Sequence, residues 1–193
     1  MKAIKDYIYH KSLKAIEKQV KTINRNKMVY NLTTARSVGI VFFANNLNQI
    51  ELVSDFMDYF KEKTIGVKAI GFYPQKEIPA NFLNTKQIDF FCKRDLNWYQ
   101  KPITPIVDVF ASTEYDILID LNFEEFLPLR WISSISRAKF KVGASNYFQN
   151  PFDLIVSVDK SKGQTYLMEQ ILKILFQLNN RFAEEKEPNT ETV

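Results

Sequence analysis

The chain has 193 residues, 46% of them hydrophobic, which is enough for one α/β core and too few for two full domains. One cysteine, Cys92, excludes an internal disulfide, and one histidine, His10, removes most zinc sites and any Ser-His-Asp triad that does not use it. Net charge is +4, but residues 1–37 carry nine Lys or Arg against Asp6 and Glu17, so this segment holds +7 and the remainder −3.

The opening MKAIKDYIYHKSLKAIEKQ lacks an apolar stretch followed by a small-residue cleavage site, and no run reaches the roughly 18 apolar residues of a membrane span. A soluble protein of the reducing cytoplasm is expected. Ile4, Tyr7, Ile8, Leu13, Ile16, Val20 and Ile23 recur at mostly three- and four-residue intervals, which predicts an amphipathic helix over residues 2–24 with a basic outer face.

Val38–Ala44 is a continuous β-branched and aromatic run, the first core strand, and Asn45-Asn46-Leu47-Asn48 turns it into a helix over Gln49–Lys63. Gly66–Tyr73 reads as the second strand, and Gln87–Phe91 as a short third one beyond Pro74 and Pro79. Cys92–Pro105 is polar, aromatic and proline-punctuated, a surface loop of the length that often carries function. Ile106–Ser112 forms a short helix leading into a fourth strand, Tyr115–Leu121, whose Asp-Ile-Leu-Ile-Asp core is an apolar run with an acid at each end. A helix over Phe123–Arg137 must place Pro128 in its first turn or at a kink. Lys139–Val142 and Phe152–Val158 complete the strands, Gln164–Phe182 is an apolar helix, and a polar tail starting at Ala183 reads as disordered.

This alternation predicts a single doubly wound, Rossmann-like, mostly parallel α/β sheet over residues 38–182, in the order 3-2-1-4-5 with a sixth strand at the edge. Residues 1–37 form the basic helix and linker before it, and 183–193 the tail. Ligands of such sheets bind at the carboxyl ends of the strands. That rule nominates Asn45, Asn46, Tyr73, Asp120, Asn122 and Asp159, although Asn and Asp at these junctions also cap helices without any ligand.

The five glycines, Gly39, Gly66, Gly71, Gly143 and Gly163, fall outside the first turn, so neither a dinucleotide fingerprint nor a Walker loop is present. No cofactor and no metal site is expected. Cys92 reads as a packing residue. The Glu124-Glu125 pair fits a metal ligand or acid-base pair, but acids at the start of a helix more often complement its dipole, and that is the reading preferred for them.

Tyr115–Asn122, followed by Arg130, Ser136-Arg137-Ala138 and Val142-Gly143, resembles the amino-terminal half of heptosyltransferase-type glycosyltransferases of the two-domain class. Those enzymes carry a catalytic acid and a Gly-Asp turn after the first strand and hold the nucleotide sugar largely on a second domain. Here the first turn is Asn45-Asn46, so the resemblance implies a nucleotide- or sugar-nucleotide-binding domain without transferase activity of its own. Over nearly its whole length the chain resembles a family of short bacterial proteins of the Bacteroidota type, a domain of unknown function.

The basic helix suggests a second kind of function. Lys11, Lys14, Lys18, Lys21 and Arg25 are spaced by three or four residues, with Lys27 beyond, and Tyr7, Tyr9 and His10 could stack on bases. Salt-dependent, sequence-tolerant binding to RNA or a ribonucleoprotein by a non-enzymatic adaptor follows, and an anionic membrane leaflet is a second surface for such a helix. The plainer expectation is a solvated helix docked on the sheet through Ile4, Ile8, Leu13, Ile16 and Val20. A protein partner, or a second copy docked on the C-terminal helix through Leu167, Ile171, Ile174, Leu175 and Leu178, is compatible with either function.

Overall fold

A computed structural model describes residues 2–178 except 84 and 86. The elements run α1 (Lys2–Val20), β1 (Ser37–Phe43), α2 (Leu47–Glu62), β2 (Gly66–Tyr73), β3 (Ile88–Cys92), α3 (Pro105–Ser112), β4 (Ile117–Asp120), α4 (Leu127–Ile135), β5 (Phe140–Gly143), β6 (Leu154–Ile155) and α5 (Gly163–Gln177). The six strands form one parallel sheet in the order β3-β2-β1-β4-β5-β6, the Rossmann arrangement the sequence predicts.

Alternation along the strands builds two cores. Val38, Ile40, Phe42, Ile117 and Ile119 pack against α2 and α5 on one face, while Val41, Ile70, Phe72 and Leu118 meet α3 and α4 on the other. Glycine is used inside strands for space. A Cβ at Gly143 would stand 2.5 Å from the Phe152 ring, and one at Gly39 would stand 2.7 Å from that of Tyr115.

Several expectations are corrected. α1 ends at Val20, so Ile23 and Arg25 lie beyond it, and it docks on α3 and α4 rather than on the sheet. It buries Ser12 and Ile16, while Ile4, Tyr7 and Val20 are exposed. α4 starts at Leu127, with Pro128 in its first turn, because proline needs no intrahelical N–H partner there. β6 is shorter than expected, pairing with β5 through Leu154 and Ile155, and Asp153 beside it turns its carboxylate to Arg25 and to the backbone N–H of Lys141. The stripe on α5 is spent internally, with Leu167, Ile171 and Leu175 buried against the sheet. The tail starting at Ala183 lies outside the described residues.

Candidate functional site

At the switch point between β1 and β4, the two strands send their chains in opposite directions around the sheet and leave a crevice of about 280 Å³. Phe43, Gln49, Asn122, Glu124, Lys160 and Gln164 are among its walls. Asn122 and Asp120 are buried and bonded to each other. The Asn122 side-chain amide donates to Asp120 Oδ1 at 2.6 Å, the Phe43 N–H donates to Asn122 Oδ1 at 2.8 Å, and Ser133 Oγ donates to Asp120 Oδ2 at 2.7 Å. Burial pushes the Asp120 carboxyl above its ordinary value, and the bonds from Ser133 and Asn122 pull against it.

The other residues nominated on the strand ends are spread apart. Asn46 caps α2 by accepting from Gln49 N at 2.9 Å, and the neighbouring Asn45 N–H donates to Gln49 Oε1. Asp159 accepts from Ser161 N in the short turn before α5, and Tyr73 packs edge-on against Phe82. Glu124 and Glu125 diverge: Glu124 accepts from Lys160, while Glu125 takes the Arg130 guanidinium and the Tyr9 hydroxyl. Cys92 is buried, its thiol donates to the Lys76 carbonyl, and burial raises its pKa.

Docking of α1 arranges the basic residues. The indole N–H of Trp131, in α4, donates to Ser12 Oγ at 2.6 Å, and Ile16, one turn on, packs with Trp131 and Ile135. The loop 93–104 seats the other flank, where Lys101 donates to Gln19 and lies over the Trp131 ring. Lys11, Lys14, Lys18 and Lys21 are left on the exposed side. Tyr7 is exposed and stacked on the exposed Trp98, with ring centroids 6.1 Å apart and 13° between planes. Tyr9 is held by Glu125, and His10 stands edge-on to it in the open.

Arg25 does not join the lysine row. Its guanidinium donates to the Ala138 and Lys139 carbonyls and pairs with Asp153, tying the linker to β5. Lys27 reaches the same carboxylate at 3.5 Å. Burial alone would raise Asp153, but the Arg25 bond and the Lys141 N–H outweigh it and hold the carboxyl low.

These residues border a larger cavity, of about 580 Å³, between the end of α1, the linker, β5 and residues 149–152. Lys141, inside it, is buried, and its Nζ donates to the Ser134 carbonyl at 3.0 Å. Sequence reasoning missed Lys141 and Trp98. A lysine inside a strand covered on both faces, Phe140-Lys141-Val142-Gly143, was a legible signal for the first.

Among the described residues, no three His, Cys, Asp or Glu side chains gather to hold a metal, and no helix is long and apolar enough to cross a membrane. Among solved structures the chain is similar to the glycosyl transferase family 9 protein from Veillonella parvula DSM 2008, with 15% identity and a TM-score of 0.47. The match covers 76% of this chain, which spans 43% of that one. No curated protein matches it. Residues 5–178 match a family of unknown function (DUF6913), and the chain belongs to that family.

Proposed function

We propose that the protein is a non-enzymatic cytoplasmic adaptor that engages RNA or a ribonucleoprotein through the outer face of α1. The observation that carries this reading is the Ser12–Trp131 bond, which fixes α1 so that Lys11, Lys14 and Lys18 stay turned to solvent. A fixed cationic row needs no ordering on binding, so phosphate contacts form at lower entropic cost than on a mobile tail. The exposed Tyr7–Trp98 pair lies beside this helix and supplies aromatic faces for unpaired bases. The alternative, a sugar nucleotide at the switch-point crevice, has less in its favour, because Asp120 and Asn122 already use their polar atoms on each other, Ser133 and Phe43.

The test is affinity for single-stranded RNA against salt concentration. Changing Lys11, Lys14 and Lys18 together to Gln removes three phosphate partners, so the slope of log affinity on log salt should shrink by about 2. Trp98→Ala should weaken binding by about 1–3 kcal/mol with the slope unchanged. A slope identical in the triple variant would sink the reading.

A further inference from the structure

The cavity beside Lys141 has a charge imbalance that its own side chains do not correct. Three cations on its wall have carboxylates: Lys21 on Glu17 at 2.7 Å, and Arg25 and Lys27 on Asp153. Lys141 has none among the described residues. Its ammonium carries three N–H donors, and the Ser134 carbonyl takes one of them. A buried cation without an anion is costly, and replacing it by an apolar residue would ordinarily relieve the cost.

We infer that this cavity binds a small organic anion, whose phosphate or carboxylate head pairs with Lys141 and whose apolar body lies on Leu13, Val20 and Phe152. The volume of about 580 Å³ falls in the range of small-molecule sites, roughly 300–1,000 Å³, and a lone inorganic ion would leave most of it unfilled. The lining supplies both parts of such a ligand's surroundings, with Lys141, Arg25, Lys27 and Ser136 for the head and Leu13, Val20 and Phe152 for the body. Burial, reinforced by Arg25 and Lys27 and opposed by Asp153, lowers the Lys141 pKa to about 7, so an anion arriving there draws a proton onto the amine. The site is separate from the outer face of α1, because Lys11, Lys14 and Lys18 do not line the cavity.

The experiment follows Lys141 in the full chain by NMR of [13Cε]lysine, alongside thermal unfolding, in phosphate or benzoate against chloride at equal ionic strength. In chloride the Lys141 resonance should titrate near neutral pH. Phosphate or benzoate should move that titration upward and raise Tm saturably, with affinity at least about tenfold weaker in Lys141→Met. A response to phosphate alone assigns a phosphate head, and one to benzoate alone a carboxylate. Val20→Trp fills the partly exposed wall while keeping Lys141, and should abolish the response even if Lys141→Met does not fold. Shifts no larger than in chloride, or equal in wild type and Val20→Trp, would overturn the inference.

Discussion

The two acids that bracket β4 staple its two ends. Asp116 Oδ2 accepts the backbone N–H of Arg36 and Ser37 where β1 begins, and its Oδ1 takes the Lys139 ammonium at 2.8 Å. Asp120 closes the other end by joining Asn122 to Ser133 of α4. The pattern of an apolar run between two acids was legible in the sequence, but whether the acids faced a ligand or the backbone was not, since both uses need the same residue type at the same junction. Because burial outweighs the bonds from Ser133 and Asn122, Asp120 holds its proton to higher pH in the folded than in the unfolded chain, and the carboxyl costs stability as pH rises from the ordinary value through the elevated folded pKa. Asp120→Asn should therefore be neutral or stabilising at pH 7, with the amide donating to Ser133 Oγ and its oxygen still accepting from Asn122. Asp120→Ala, which strands both partners, should lose about 2–4 kcal/mol. Urea midpoints decide it, and a loss in Asp120→Asn as large as in Asp120→Ala would mean the ionised carboxylate is the stabilising form.

At the scale of elements, α1 is a third layer, and that position explains why its packing was misread. A helix on a sheet buries a broad apolar stripe, whereas α1 packs on the backs of α3 and α4 and the loop 93–104 and buries a narrow line that includes a serine. Hydrophobic periodicity picked out Leu13 and Ile16, and it cannot register Ser12, whose role is to accept the indole N–H of Trp131. The same layering accounts for α4, where every residue from Pro128 to Ile135 is buried because the sheet lies on one side and α1 on the other. Trp131→Phe removes the buried donor while keeping most of the ring, and should cost about 1–3 kcal/mol. If α1 docks as an outer layer, the change should raise amide exchange across residues 2–20 and leave β1 and β4 protected. Uniform loss of protection across the sheet would show instead that α1 is integral to the main cooperative unit.

For the molecule as a whole, strand order and helix layers followed from periodicity, while its electrostatics depended on contacts between residues far apart in sequence. Arg25 meets Asp153 only once the linker has folded back along β5, and the same fold places Arg25 and Lys27 near enough to Lys141 to lower its pKa further. The consequence is an unusual dependence of stability on pH. On the acid side Asp116 and Asp153 have folded pKa values held below 3.8, so their stabilisation is present above that value and is lost as pH falls through the folded ones. On the alkaline side Lys141 governs. The unfolded chain keeps this proton up to the ordinary 10.5, while the folded protein releases it near 7, so in between the unfolded state binds more protons and stability rises with pH. Above about pH 10 the trend reverses, because Tyr115, pushed up to about 12 by burial, and Tyr147, raised for the same reason, keep protons that the unfolded chain gives up. Between pH 7 and 9, below the range where the raised Cys92 thiol opposes the trend, and without anions other than chloride, unfolding free energy should climb by up to about 1.4 kcal/mol per pH unit. Lys141→Met should flatten that rise while leaving the acid limb unchanged. Urea midpoints at successive pH values test this, and a flat profile from pH 7 to 9 in the unaltered protein would show that Lys141 keeps its charge inside the fold, with its counter-ion already supplied by the surrounding chain.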